Sequence, residues 1–284
     1  MRILITGGGG QLGRDLQAAL TGHEVHAVPH SDLDVTDADA VAAAIAAFRP
    51  EAVLHAAALT DTTRCEREPE VAHAVNALGA RNVAVACANA GAAMLYVSTN
   101  EVFDGAKAEP YLELDEPRPF NAYGRSKLAG ERMVQEALAA HYIVRTAWLY
   151  GRGGNHFVAK ILRAAEGGEL TGVTDEIATP TWTRDLAPAI ARLIKTQRYG
   201  VYHLTNAGQA SRYEWVREIL RLAGKSDVRL RPVTTAAFRA SLPPAALAVD
   251  KPPFSALRNQ AAVALGIELR PWQEALREYF AAGK

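Results

Sequence analysis

The stretch Thr6-Gly7-Gly8-Gly9-Gly10-Gln11-Leu12-Gly13 follows the aliphatic run Ile3-Leu4-Ile5 and leads into leucines at 12, 16 and 20. Glycines alone specify no more than a flexible turn. Between a strand pattern and a helix pattern, with Gly7, Gly10 and Gly13 in GxxGxxG spacing, they specify much more. The first makes a sharp turn, the second lets backbone N–H groups approach a pyrophosphate, and the third lets the helix lie against the strand. The spacing predicts a helix N-terminus that holds a dinucleotide, and with it an α/β fold.

The rest of the first half alternates short β-branched or aliphatic runs with helical stretches, the pattern of a parallel sheet with crossover helices. After 3–5, strands are expected at 25–28, 52–56, 94–98 and 143–145. The first helix closes at Gly22, and Thr36-Asp37-Ala38-Asp39 offers a cap and an acidic first turn to a second helix that Pro50 stops. Further helices are expected over 69–90 and 122–140. Beyond residue 150 the rhythm loosens, with glycines at 151–154 and 167–168, Pro180, Pro243-Pro244 and Pro252-Pro253. Ser211-Arg212-Tyr213-Glu214 reads as a capping box opening a helix that Gly224 ends, and Pro271 as the first residue of a terminal helix. The expected architecture is a Rossmann-type, doubly wound parallel sheet with a smaller C-terminal substrate-binding lobe. Residues 1–150 form the dinucleotide-binding domain and 151–284 mostly the lobe, with some segments returning to the main sheet. The proline-rich stretch 241–258 is expected to be a loop over the cleft.

Charge narrows the partners. The 284 residues carry 31 Lys+Arg and 31 Asp+Glu, so no net field draws the chain to nucleic acid or anionic lipid, and neither is expected. Cys65 and Cys87 lie outside any CxxC pair or histidine spacing, which argues against a disulfide framework and a metal site. No apolar run reaches the roughly 18–20 residues of a bilayer crossing, and the N-terminal run is too short for a secretory signal. A cytoplasmic protein acting on a small molecule, as monomer or homodimer, is the expectation.

Tyr123-Gly124-Arg125-Ser126-Lys127 places a phenol and an ammonium on one face of a helix. A phenol with a pKa of about 10 shuttles protons poorly near neutrality, and a neighbouring ammonium, aided by cofactor charge, lowers it. Ser98-Thr99 ends the preceding strand, where a hydroxyl can share a carbonyl oxygen with the tyrosine. Dinucleotide folds often hold ribose hydroxyls with a carboxylate at the end of the second strand. Here that strand ends Val28-Pro29-His30-Ser31, with Asp32 and Asp34 slightly later. Arg14, His30 or Ser31 can meet a 2′-phosphate, so the expected cofactor is NADPH, with NADH left open. Asp32 and Asp34 can equally start a turn, with Asp34 touching adenine. Trp148 is either a stacking wall for sugar or base or an ordinary core tryptophan. Arg152, Lys160 and Arg163 either meet a diphosphate or form a solvated face, while His55 and His156 read as structural.

The GxxGxxG, Asp34-Val35, His55-Ala56-Ala57-Ala58, the stretch Ser98-Thr99-Asn100-Glu101-Val102-Phe103-Asp104-Gly105 and Tyr123-Gly124-Arg125-Ser126-Lys127-Leu128-Ala129-Gly130-Glu131 together resemble the extended short-chain dehydrogenase/reductases. Within these the chain is most similar to the dTDP-4-dehydrorhamnose reductase family. Val144-Arg145-Thr146-Ala147-Trp148-Leu149-Tyr150-Gly151, Asn155-His156-Phe157 and Gly200-Val201-Tyr202-His203-Leu204 carry the resemblance over nearly the whole chain.

That resemblance implies Tyr123 as proton donor, Lys127 as ribose-binding modulator of its pKa, and Thr99 as hydrogen-bond partner of a keto oxygen. It implies Gly7, Gly10, Gln11, Leu12 and Gly13 around the pyrophosphate, Asp34 and Val35 at the adenine, and Ala56, Ala57 and Ala58 along the dinucleotide cleft. Asn100 and Trp148 join Thr99 on the substrate side. The family's usual Ser-Thr-Asp-Tyr-Val-Phe is here Ser98-Thr99-Asn100-Glu101-Val102-Phe103, so a carboxylate contact to the sugar is lost at Asn100. The implied reaction is NAD(P)H-dependent reduction of the 4-keto group of a nucleotide-diphospho-6-deoxyhexose, dTDP-4-dehydro-L-rhamnose to dTDP-L-rhamnose. Nucleotide-sugar epimerases and dehydratases share the glycines and the YxxxK, and a non-catalytic NADP-binding regulatory subunit is the rival outside enzyme chemistry.

Overall fold

The expected alternation becomes a six-stranded sheet whose neighbouring strands all run parallel. The computed structural model describes residues 1–153, 156–243 and 249–283. Gly154, Asn155 and Pro244, each picked out in the sequence, lie outside the described residues, as does part of the expected loop. In chain order the first half runs β1 (Arg2–Thr6), α1 (Gln11–Ala19), β2 (Glu24–Val28), α2 (Ala38–Phe48), β3 (Ala52–His55), α3 (Thr62–Arg67), α4 (Pro69–His73), α5 (Gly79–Ala90), β4 (Ala93–Thr99), α6 (Ala122–Ala137) and β5 (His141–Thr146). The sheet order is β2-β1-β3-β4-β5, completed by Gly200–His203 pairing with β5.

Alternation along β1 sets the two layers, because successive side chains leave opposite faces of a strand. Ile3 and Ile5 join Leu12 and Leu16 of α1 and Leu186 and Ile190 of the helix Thr183–Leu193 in one core cluster. Leu4 joins Val41 and Ile45 of α2, Val83 and Cys87 of α5 and Val134 of α6 in the other. Helices therefore cover both faces of the sheet. The chain leaves β1 toward β2 on one side and resumes at β3 on the other, so a topological switch point lies between β1 and β3. In open α/β sheets the crevice beyond the carboxyl ends of the strands at that point is where ligands bind.

Local signals explain most boundaries. Asp37 caps α2 by accepting from Ala40 N at 2.9 Å, and Arg49 turns left-handed (φ 49°) ahead of Pro50. Ser211 and Glu214 form the expected reciprocal cap, and Gly224 (φ 67°) follows the end of that helix. Three expectations need correction. The stretch 69–90 is not one helix: α4 passes through a π turn at Ala74–Leu78 before α5, and α3 precedes it. The helix from 122 stops at Ala137 because Leu138 turns extended (φ −145°, ψ 117°) to deliver His141 into β5. Pro271 has an extended ψ of 142° and occupies the cap position, so the terminal helix is Trp272–Ala281.

In the second half, short strand pairs surround an aromatic core of Tyr150, Trp182, Trp215, Trp272 and Tyr279. Of the segment 241–258, the described residues run irregularly past the turn that follows β4, with single bridges from Phe254 to Ile177 and from Leu257 to Tyr111. Among the described residues no helix is long and apolar enough to cross a membrane.

Candidate active site

At the switch point the structure opens a cavity of about 440 Å³, and the turn after β1 forms one wall. Gly7 adopts φ +74°, and a Cβ there would lie 2.7 Å from Ala57 N. At Gly13 a Cβ would lie 2.4 Å from Gly7 O, so only glycine lets α1 press this closely on the turn. Gly10 caps α1 without any side-chain hydrogen bond, which leaves the first-turn N–H groups directed at the cavity without a side-chain acceptor. A helix end of this kind can hold an anion.

Gly7, Gly10, Gln11, Leu12 and Gly13 line the cavity, as do Ala56 and Ala58 beyond β3. Ala57 does not line it; its backbone instead supports the turn at Gly7. Asp34 and Val35 also stay outside. The exposed Asp34 carboxylate accepts from Thr36 N at 2.9 Å and Thr36 Oγ1 at 2.8 Å, holding its own turn, while Val35 is buried against Gly79 of α5. Ser31 donates to Asp32, and Arg14 lies on the exposed face of α1 beside Gly153.

The opposite wall comes from β4 and α6. Thr99 ends β4 and caps a short 3-10 turn, accepting from Glu101 N at 3.2 Å. Asn121 caps α6 by accepting from Gly124 N at 2.8 Å, which fixes Tyr123 in the first turn, with Lys127 one turn further on. Thr99, Asn100, Glu101, Tyr123 and Lys127 all line the cavity. Lys127 is 1% exposed, its Nζ lies 4.0 Å from the centre of the Tyr96 ring, and it has no hydrogen-bond partner. Burial pushes its pKa down to about 7, against the pull of Glu131.

The spacing argument expects Lys127 to lower the Tyr123 pKa, and the protein alone does the reverse. Burial raises the phenol and the Glu101 carboxylate raises it further, with only the Thr99 hydroxyl pulling it down. Lys127 is itself desolvated, and its amine lies over the Tyr96 ring.

Trp148 lines the cavity half-buried at φ 42°, stacked on Trp215 at 5.3 Å with the Arg212 guanidinium 3.6 Å from its ring centre. Asn100 turns its amide into the protein, donating to Ser255 Oγ at 2.7 Å and accepting from Thr99 Oγ1 at 3.3 Å. Of the basic residues left between a diphosphate contact and a solvated face, Arg152 donates to Ala282 O, and Lys160 and Arg163 are exposed. His55 is buried on Thr6 Oγ1 at 2.7 Å, and burial, with help from Lys127, lowers its pKa to about 3. His156 caps the helix Phe157–Ala164 and also lines the cavity.

Sequence reasoning missed Thr60, Thr62, Thr146 and Thr183 on the cavity wall. The available signal was position, since Thr60 follows the alanine run after β3 and Thr146 ends β5. Glu101 stands in the stretch after Thr99, but its pattern does not show what it pairs with. Among the described residues no group of three or more His, Cys, Asp and Glu side chains is placed to hold a metal ion.

Comparison with known proteins agrees with this geometry. The family model described as RmlD substrate binding domain matches residues 1–284. A dTDP-4-dehydrorhamnose reductase of Streptomyces griseus is 42% identical over 291 residues, covering 99% of this chain and 93% of that protein. The crystal structure of a dTDP-4-dehydrorhamnose reductase from Clostridium acetobutylicum has a TM-score of 0.93 at 40% identity, with 99% of each chain covered. That of a dTDP-4-dehydrorhamnose reductase from Bacillus anthracis, in complex with NADP, has a TM-score of 0.93 at 37% identity over 99% of each chain. With the glycine turn, the YxxxK helix and the sheet around them matched from end to end, the chain belongs to the RmlD substrate-binding domain family.

Proposed function

We propose that this chain uses NADPH to reduce the 4-keto group of dTDP-4-dehydro-L-rhamnose to the alcohol of dTDP-L-rhamnose. One observation carries the reading: Lys127, a buried amine without an acceptor, lines the same cavity as Tyr123, Thr99 and the uncapped N-terminus of α1. Those residues fit a dinucleotide. The α1 N–H groups and the glycine turn would hold its pyrophosphate, and Lys127 would hold ribose hydroxyls.

A dihydronicotinamide held there would supply hydride to carbon 4 of the sugar. Tyr123 donates its proton to the oxygen as that oxygen gains charge, and the Thr99 hydroxyl donates a hydrogen bond to the same atom. Both contacts strengthen as the charge develops, so they lower the barrier more than they tighten ground-state binding. Residues 1–150 hold the dinucleotide, and 151–284 supply most of the substrate side.

The test is NADPH absorbance with dTDP-4-dehydrorhamnose. One NADPH consumed per product supports reduction, whereas an epimerase or dehydratase regenerates its cofactor. NADPH binding without oxidation by any 4-keto sugar would favour the regulatory reading. Tyr123→Phe is expected to lose turnover by about 10²–10⁴-fold while still binding NADPH.

A further inference from the structure

Glu101 is the one carboxylate among the described residues that line the cavity. It is neither solvated nor free. Its oxygens accept from Lys251 Nζ at 2.7 and 2.9 Å, and Oε2 also accepts from Asn121 Nδ2 at 2.7 Å. Lys251 comes from the irregular segment of the second half, which is fixed on both sides of this pair. Asn121 Nδ2 also donates to Asp250 O at 2.8 Å, and Asn100 Nδ2 reaches Ser255 Oγ.

The other charged groups around the pair have their own partners or lie apart. Asp250 pairs with Arg239, Glu66 accepts from Ala122 N and faces Arg125, and Arg64 pairs with Glu68. On α3, Asp61 caps its helix and Cys65 remains a thiol, its pKa pushed up to about 11 by burial. From α6, Tyr123 feels the Glu101 charge directly, whereas Lys127 lies against Tyr96. Lys251 is therefore the cation that meets this carboxylate.

We infer that Lys251 is a positioning residue of the active site. By holding Glu101 as an ion pair, it keeps the cavity's carboxylate from opposing the negative charge Tyr123 acquires when it gives up its proton. The inference rests on the reductase reading only for the direction in which that proton moves. The Glu101 charge already disfavours the ionised phenol; like charges in a poorly solvated cavity repel strongly, and a paired cation offsets that field. Lys251 does not itself line the cavity; it acts through Glu101.

The experiment compares pH profiles of kcat and KM for the full-length wild type, Lys251→Met, Lys251→Arg, Glu101→Gln and the double variant Glu101→Gln/Lys251→Met, using NADPH and dTDP-4-dehydrorhamnose. In Lys251→Met, kcat is expected to fall about tenfold near neutrality with KM within about twofold, and to recover as the pH drops and Glu101 takes a proton. Lys251→Arg should restore the wild-type profile, and the double variant should regain most of the lost turnover, because it removes both charges. Glu101→Gln alone, which leaves the lysine charge unopposed, should move the high-pH decline to lower pH.

Superimposable profiles for Lys251→Met and wild type, or a double variant as slow as Lys251→Met, would overturn the inference. A second readout does not depend on turnover. Carbon-13 NMR titration of the Glu101 carboxyl, assigned through Glu101→Gln, should show its pKa higher in Lys251→Met than in wild type, and no change would refute the pairing role. Wild-type protein that oxidises no NADPH would instead defeat the reductase reading, leaving this titration to decide the ion pair.

Discussion

Lys127 carries a desolvation cost in the ligand-free protein. A charged amine taken out of water without an acceptor destabilises the fold that holds it, and its pKa falls from 10.5 to about 7. Below about pH 7 the amine is charged in both folded and unfolded chains, and the full penalty applies. As the pH rises from about 7 toward 10.5, the folded form sheds its proton first and the penalty lifts. Lys127→Met, which keeps the length without the charge, is therefore expected to melt several degrees above the wild type at pH 7 without cofactor. That advantage should shrink toward pH 10, and kcat/KM should fall at least about a hundredfold, as differential scanning calorimetry and the NADPH assay would show. At this scale the sequence was legible where the chemistry is local. Tyr123 and Lys127 share one helix turn, and Gly7, Gly10 and Gly13 share one loop. Glu101 was not legible, because its partner lies 150 residues away and nothing in the local pattern points to it.

Helix α6 shows how an element aims its residues. Asn121 serves three masters through one amide: its oxygen caps the helix that presents Tyr123, and its nitrogen binds both Glu101 and the Asp250 carbonyl. Asn121→Asp keeps the capping oxygen but replaces the donor with a second negative charge facing Glu101. It is expected to retain helix content by circular dichroism, lose about 2–4 kcal/mol in urea unfolding, and lower kcat more than it raises KM. The strands and long helices were readable from alternation and caps. The break at Ala74–Leu78 was not, because Asn76 is held there by distant groups, its amide bonding the Leu59 backbone and Ser126 Oγ. Helix α3 was equally hidden, since Thr62–Arg67 buries only Cys65 and so has no apolar period to read.

Across the whole molecule the two halves of the chain are joined through the sheet. Strand Gly200–His203 completes it beside β5, and helix Thr183–Leu193 covers the face that carries Ile3, Ile5, Leu54, Leu95 and Val144. A fragment ending at residue 150 therefore loses the lid of one core. It is expected to bind a hydrophobic dye and to melt without a cooperative transition, in contrast to the full chain. Sequence rhythm anticipated the sheet but not this cover, because the covering helix carries Pro188 and follows strands of only two residues at Ile177–Ala178 and Thr181–Trp182. The long separation between Glu101 and Lys251 also orders events during synthesis. A nascent chain leaving the ribosome presents Glu101 well before its counterion, so the carboxylate is balanced only after a further 150 residues have been synthesised.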